Sequence, residues 1–128
     1  EPRTRRAIVG RLSAFDRLVE VGIGHRTEVA AALADADHEV TATDVHSREV
    51  PDGVRFERDD LFDPDHALYR NADAIYALNL PPELHRPARE VADEADAAFL
   101  FTTLGGDQPA IPVARETVPG ETVFVGRE

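Results

Sequence analysis

The chain has 128 residues, which suits a single domain over 1–128 and leaves no room for a second. Its 42% hydrophobic content supports a core, it contains no Cys, and no apolar run approaches the ~20 residues that span a bilayer. Disorder is therefore not the default reading, no segment reads as a membrane-spanning helix, and disulfides, zinc ribbons and thiol catalysis are excluded. The formal net charge is −11, from 25 acidic residues against 14 cations, and every one of the 14 is Arg. A carboxylate-rich, Lys-free surface reads as adaptation to a high-salt cytoplasm, where the Debye length falls to roughly 3 Å and self-repulsion is screened. Acidity then describes the solvent more than the partners, and a nucleic-acid partner is not excluded. Glu1 to Gly10 has no signal-peptide pattern, so the expected location is the cytoplasm.

Arg5 to Phe15 reads as an amphipathic helix with Ile8, Leu12 and Phe15 on one face. Arg3, Arg5, Arg6 and Arg11 form the one basic cluster, either a solvated face or a contact for phosphate or an acidic partner. Asp16 to Val21 is a strand ending near Glu20, followed by the turn Gly22-Ile23-Gly24. Arg26 to Asp35 is a helix whose Val29, Ala32, Leu33 and Ala36 face a sheet. Glu39 to Thr43 is a second strand ending at Asp44, and Val54 and Phe56 mark a third. Asp63-Pro64 predicts a capped short helix to about Arg70. Ala74 to Leu78 is a fourth strand, and a helix broken or restarted at Pro87 runs to about Ala95. Ala97 to Leu104 is the most apolar strand; the tail reads as a strand pair over 113–118 and 122–125 turning at Pro119-Gly120. The alternation predicts a three-layer, Rossmann-like α/β domain with a mostly parallel sheet and a short C-terminal strand pair.

Such a sheet binds ligands beyond the carboxyl ends of its strands. Those ends carry Glu20 to Gly24, Asp44, Asp59-Asp60, Asn79 and Leu104. Glycine at 22 and 24 lets the backbone turn sharply and approach a ligand. Asp44, 20 residues after Gly24, can accept both hydroxyls of a ribose, or else cap the turn. A dinucleotide fingerprint needs a third glycine where this chain has Thr27, which disfavours NAD, and Glu20 beside the turn would repel phosphate. His25, His46 and His85 show no metal spacing and read as polar loop residues, so no metal is expected.

On these residues the chain resembles the S-adenosylmethionine-dependent methyltransferase superfamily, which opens with an acid before G-x-G-x-G, as Glu20-Val21-Gly22-Ile23-Gly24 does. It departs at the last glycine, which is Arg26. The resemblance implies S-adenosylmethionine as cofactor, with Glu20, Gly22, Gly24 and the ribose acid Asp44 at its site. The adenine-side acid would be Asp60, or Asp59. Asn79-Leu80-Pro81-Pro82 is similar to the strand end of amino-group methyltransferases, where Asn accepts hydrogen bonds from the target amine. That implies Asn79 as the catalytic residue, although Leu80 is an insertion and Glu83 replaces the aromatic; the alternative is a Pro-Pro stop for the strand. The strings at 19–24, 42–45, 74–76 and 81–84 are similar to a numbered group of small archaeal, here haloarchaeal, proteins: uncharacterised protein family 0146.

The expected activity is methyl transfer from S-adenosylmethionine; the alternative is a non-catalytic module that binds an adenosine-type ligand and works through a protein or RNA partner. With no segment left over for substrate recognition, catalysis would call for a homo-oligomer or a macromolecular substrate.

Overall fold

The computed structural model describes residues 1–128. Five strands, β1 (Arg17–Val21), β2 (Glu39–Asp44), β3 (Val54–Arg58), β4 (Ala74–Ala77) and β5 (Ala98–Phe101), run parallel. Strands β6 (Ala114–Val118) and β7 (Glu121–Arg127) form an antiparallel hairpin that joins the sheet through β7 on β5. The order β3-β2-β1-β4-β5-β7-β6 places the reversal of strand order between β1 and β4. The C-terminal strands are thus part of the sheet, and β7 lies inside β6.

Helices α1 (Pro2–Leu12) and α2 (Glu28–Asp35) cover one face, where Leu18, Leu33, Ala42, Tyr76 and Leu100 share a core. Helix α3 (His85–Ala95) covers the other, over Val19, Ile75, Phe99 and Phe101. Strands β1, β4 and β5 are apolar on both sides because both sides are covered. Glu20 is the exception within β1: it is buried on the α1/α2 face.

Several boundaries differ from the sequence reading for local reasons. Helix α1 starts three residues early because Glu1 caps it, accepting from the amides of Arg3 (2.8 Å) and Thr4 (3.2 Å) ahead of Pro2 at the first turn. Its end at Leu12 leaves Phe15 outside the helix, still packed on the core. The helix expected from Asp63-Pro64 is only a 3-10 turn, His66–Leu68, and its cap is Asp65, which accepts from Ala67 N at 3.1 Å. Asp63 is instead drawn back into a bridge with Asp60. Helix α3 restarts at His85, leaving Pro87 in its first turn where no amide is needed.

Helix α1 is tied to the hairpin. Arg11 makes a two-pronged contact with Glu116 at 2.7 and 3.2 Å, and Thr4 Oγ1 donates to Pro119 O at 2.6 Å. These ties set the N-terminal helix against the β6–β7 turn as one wall of a cleft at the carboxyl end of the sheet.

Candidate functional site

The turn after β1 is anchored to the end of β2: Gly22 N and Ile23 N both donate to Thr43 O, at 2.9 and 3.2 Å. Gly22 and Gly24 take φ +67 and +57, a left-handed backbone that any side chain would strain. A Cβ on Gly22 would meet nothing within 4 Å, and one on Gly24 only Gly22 O at 4.0 Å. The glycines therefore serve the turn, and the space beside them is open.

Asp44 closes the turn. Its Oδ2 accepts from Gly24 N at 2.9 Å and its Oδ1 from His46 N at 3.0 Å. Arg48, one helical turn along in sequence, lays its Nε 3.4 Å from Oδ1 and its Nη1 3.1 Å from His25 Nε2. That Nε is buried and makes no hydrogen bond. Burial alone would raise the Asp44 pKa; the two amides and the Arg48 charge outweigh it and hold the carboxyl below its ordinary value. Asp44 is thus an ionised cap, with lone pairs still free on a carboxylate that has four acceptor sites.

Glu20 lies elsewhere. Its side chain points into the α1/α2 core, 1% exposed, and accepts from Tyr76 Oη at 2.7 Å. Burial pushes its pKa up to about 8, the Tyr76 hydrogen bond opposes this, and the charge of Glu28 adds to it. At neutral pH it is mainly a neutral acid within the core.

The two acids after β3 divide their work. Asp59 turns inward, accepting from Asp65 N and from Tyr69 Oη. Asp60 is exposed and accepts from Phe62 N at 2.9 Å in a local turn. Phe62 itself is 65% exposed and Val45, just after Asp44, 50%. Two large apolar side chains left in solvent at the ends of β3 and β2 are a signal the sequence reading did not isolate.

Asn79 ends β4 in the left-handed region at φ +55, with its amide donating to Thr102 Oγ1 at 2.8 Å. It lines the cleft of about 390 Å³ together with Arg5, Arg26 and Glu28. With the carboxamide oriented so that both neighbours are satisfied, Asn79 Oδ1 accepts from Arg26 Nη1 at 2.8 Å and Nδ2 donates to Thr103 O at 3.3 Å. The oxygen that would hold an amine thus carries a guanidinium, a partner that only the departure from glycine at Arg26 could have signalled. The site gathers Gly22, Gly24 and Asp44 around one turn, places Asp60 and Asn79 at neighbouring strand ends, and leaves Glu20 behind in the core.

The histidines are not a cluster, and no three His, Asp or Glu side chains converge as a metal site. His25 and His46 are exposed, whereas His85 is fully buried. Its Nε2 lies 2.8 Å from Leu80 O and its Nδ1 accepts from Ala110 N at 3.0 Å, clamping two loops together beside Phe101. No helix is long and apolar enough to cross a membrane.

Solved structures that share the architecture include methyltransferases. An RNA methyltransferase from Salinibacter ruber, in complex with S-adenosyl-L-homocysteine, superimposes with a TM-score of 0.66 over 96% of this chain and 92% of its own, at 18% identity. A TehB-like SAM-dependent methyltransferase from Corynebacterium glutamicum gives 0.66 over 100% and 89%, at 14% identity. Identities this low establish a methyltransferase-type fold and nothing about ligand. In sequence, a UPF0146 protein of Halobacterium salinarum is 52% identical over 118 residues, covering 91% of this chain and 92% of the relative. The model described as "Uncharacterised protein family (UPF0146)" matches residues 5–128, and the chain belongs to that family.

Proposed function

We propose that the chain binds S-adenosylmethionine at the turn after β1 and serves as a methyltransferase. The observation that carries this is the open space beside two left-handed glycines at the point of strand-order reversal, with the buried, ionised Asp44 at its edge. A nucleoside fits these residues: Asp44 has acceptor capacity for ribose hydroxyls, and the exposed Val45 and Phe62 offer apolar surface for a base beside Asp60. Arg48 must turn away from Asp44 to admit the ribose. S-adenosylmethionine supplies an electrophilic methyl group; the protein's work is to position it and exclude water. A pyrophosphate fits poorly, because Glu28 stands in the first turn of α2 and Thr27 leads into it.

The second reading is a non-catalytic adenosine-binding module acting through a protein or RNA partner. It is favoured by Asn79, whose carboxamide is engaged by Arg26 and Thr103.

Isothermal calorimetry in molar KCl decides the ligand. S-adenosylhomocysteine should bind more tightly than NAD or ATP. Equal or stronger binding of NAD would sink this reading.

A further inference from the structure

The sheet ends on one side at β3, and both the edge and one face of that strand are bare. The chain between β3 and β4 forms only the 3-10 turn His66–Leu68, so no α-helix covers β2 and β3 on the α3 side. Arg55 and Glu57 stand there, exposed, beside a cleft of about 170 Å³. Neither makes an ion pair. On the other face Val54 is buried and Phe56 half-buried against the α1/α2 core.

The main chain of β3 is also open. Asp59 N donates to Asp44 O at 3.1 Å, so the alternate residues Arg55, Glu57 and Asp59 turn their polar groups towards β2. Those of Val54, Phe56 and Arg58 point away from the sheet. Pro51 O takes up Val54 N at 3.1 Å, which leaves Phe56 N, Phe56 O, Arg58 N and Val54 O as an open row.

Such a row accepts another strand, and the charges on β3 say which. Val54-Arg55-Phe56-Glu57-Arg58 is complementary to itself when run antiparallel. With a two-fold axis at Phe56, Arg55 of each copy lies opposite Glu57 of the other. Phe56 N then donates to Phe56 O across the axis, and Arg58 N to Val54 O, in both directions. The two Phe56 rings meet on the α1/α2 face and cover each other's open side. Moving the axis by one residue sets Arg55 against Arg55 or Glu57 against Glu57, so charge selects the register. The opposite edge of the sheet offers nothing similar. In β6 the charged residues Arg115 and Glu116 are adjacent, which no two-fold register sets opposite each other, and Arg11 already holds Glu116.

We propose that β3 is a dimerisation edge, where a second copy of this chain pairs antiparallel and joins two sheets into one. The inference does not rest on the ligand proposed above. One strand pair buries less than the ~1,000 Å² of a tight interface, so the dimer is weak and concentration-dependent. Molar KCl favours it by screening the net charge of −11 that each copy brings.

Sedimentation velocity of the intact chain in molar KCl tests this. The parent should be largely dimeric at about 500 μM and monomeric at about 5 μM. Arg55→Glu and Glu57→Arg each set like charges opposite one another, and each should raise the dissociation constant at least about tenfold. Both residues are exposed, so both variants should fold, and an unchanged Tm checks it. Mixed in equal amounts, the two variants should associate as the parent does. The Arg55→Glu copy presents two carboxylates to the two guanidiniums of the Glu57→Arg copy. A change that merely disturbed each fold would not be repaired by mixing. A parent that stays monomeric at about 500 μM would overturn the proposal. So would dimers that survive both charge reversals, or a mixture no more associated than its components.

Discussion

Replacing Glu20 by Gln should stabilise the protein, and increasingly so as pH rises. Glu20 is 1% exposed and hydrogen-bonded to Tyr76 Oη at 2.7 Å, and burial lifts its pKa from 4.5 to about 8. Between those values the folded chain holds a proton that the unfolded chain has released. Stability from this group is therefore complete below pH 4.5 and is lost as pH rises through about 8. At about 1.4 kcal/mol per pH unit the whole window amounts to roughly 5 kcal/mol, of which roughly 2–3 kcal/mol falls between pH 5 and 7. Gln has the shape of the protonated acid, accepts from Tyr76 and never ionises. Urea unfolding of parent and Glu20→Gln from pH 5 to 9, at constant molar KCl, isolates the effect, because other titrating groups cancel in the difference. The variant's advantage should grow with pH and level off above pH 8. Parallel profiles would refute the burial argument. Because the side chain points into the core, S-adenosylhomocysteine affinity should not change; a loss would return Glu20 to the ligand site.

Asp44→Ala strips the partners from Gly24 N and His46 N, so urea unfolding should show a loss of about 2–4 kcal/mol. It should also weaken S-adenosylhomocysteine by about ten- to a hundredfold; unchanged affinity would leave Asp44 as the cap of the turn alone. His85→Phe keeps the packing on Phe101 but leaves Leu80 O and Ala110 N unpaired, and should cost about 2–4 kcal/mol; a loss under about 1 kcal/mol would show that the clamp is dispensable. The melting temperature should rise substantially from low to molar KCl, because a net charge of −11 is then screened, and a flat profile would remove the high-salt reading.

The sheet was legible because its central strands are buried on both faces, which writes uninterrupted apolar runs such as Ala74–Ala77 and Ala98–Phe101 into the sequence. The glycine turn was legible because its backbone demands are chemical, not contextual. Direction was not legible. Nothing in Val19-Glu20-Val21 says that the pleat sends Glu20 into the α1/α2 core while the turn follows two residues later, at Gly22. The same holds for Asp59 and Asp60, which differ only in which side of the chain they leave, one towards Tyr69 and one to solvent. Asp63-Pro64 carried a valid helix-start signal, but the four residues to Leu68 are too few for it to act, and Asp65 took the cap. Arg26 was hidden for another reason: its long side chain reaches a partner, Asn79, that only the folded sheet brings near.

The central claim is that an adenosine ligand sits at the turn after β1, and amide chemical shifts in an S-adenosylhomocysteine titration test it most directly. In ¹⁵N-labelled protein in molar KCl, the saturating shifts should concentrate at Gly22, Gly24, Val45, His46 and Asp60 to Phe62, the residues around Asp44 and the exposed apolar pair. Amides at the opposite edge, such as Arg17, Glu39 and Arg55, should stay in place. A spectrum unmoved by the ligand, or shifts gathered at that opposite edge, would contradict the account.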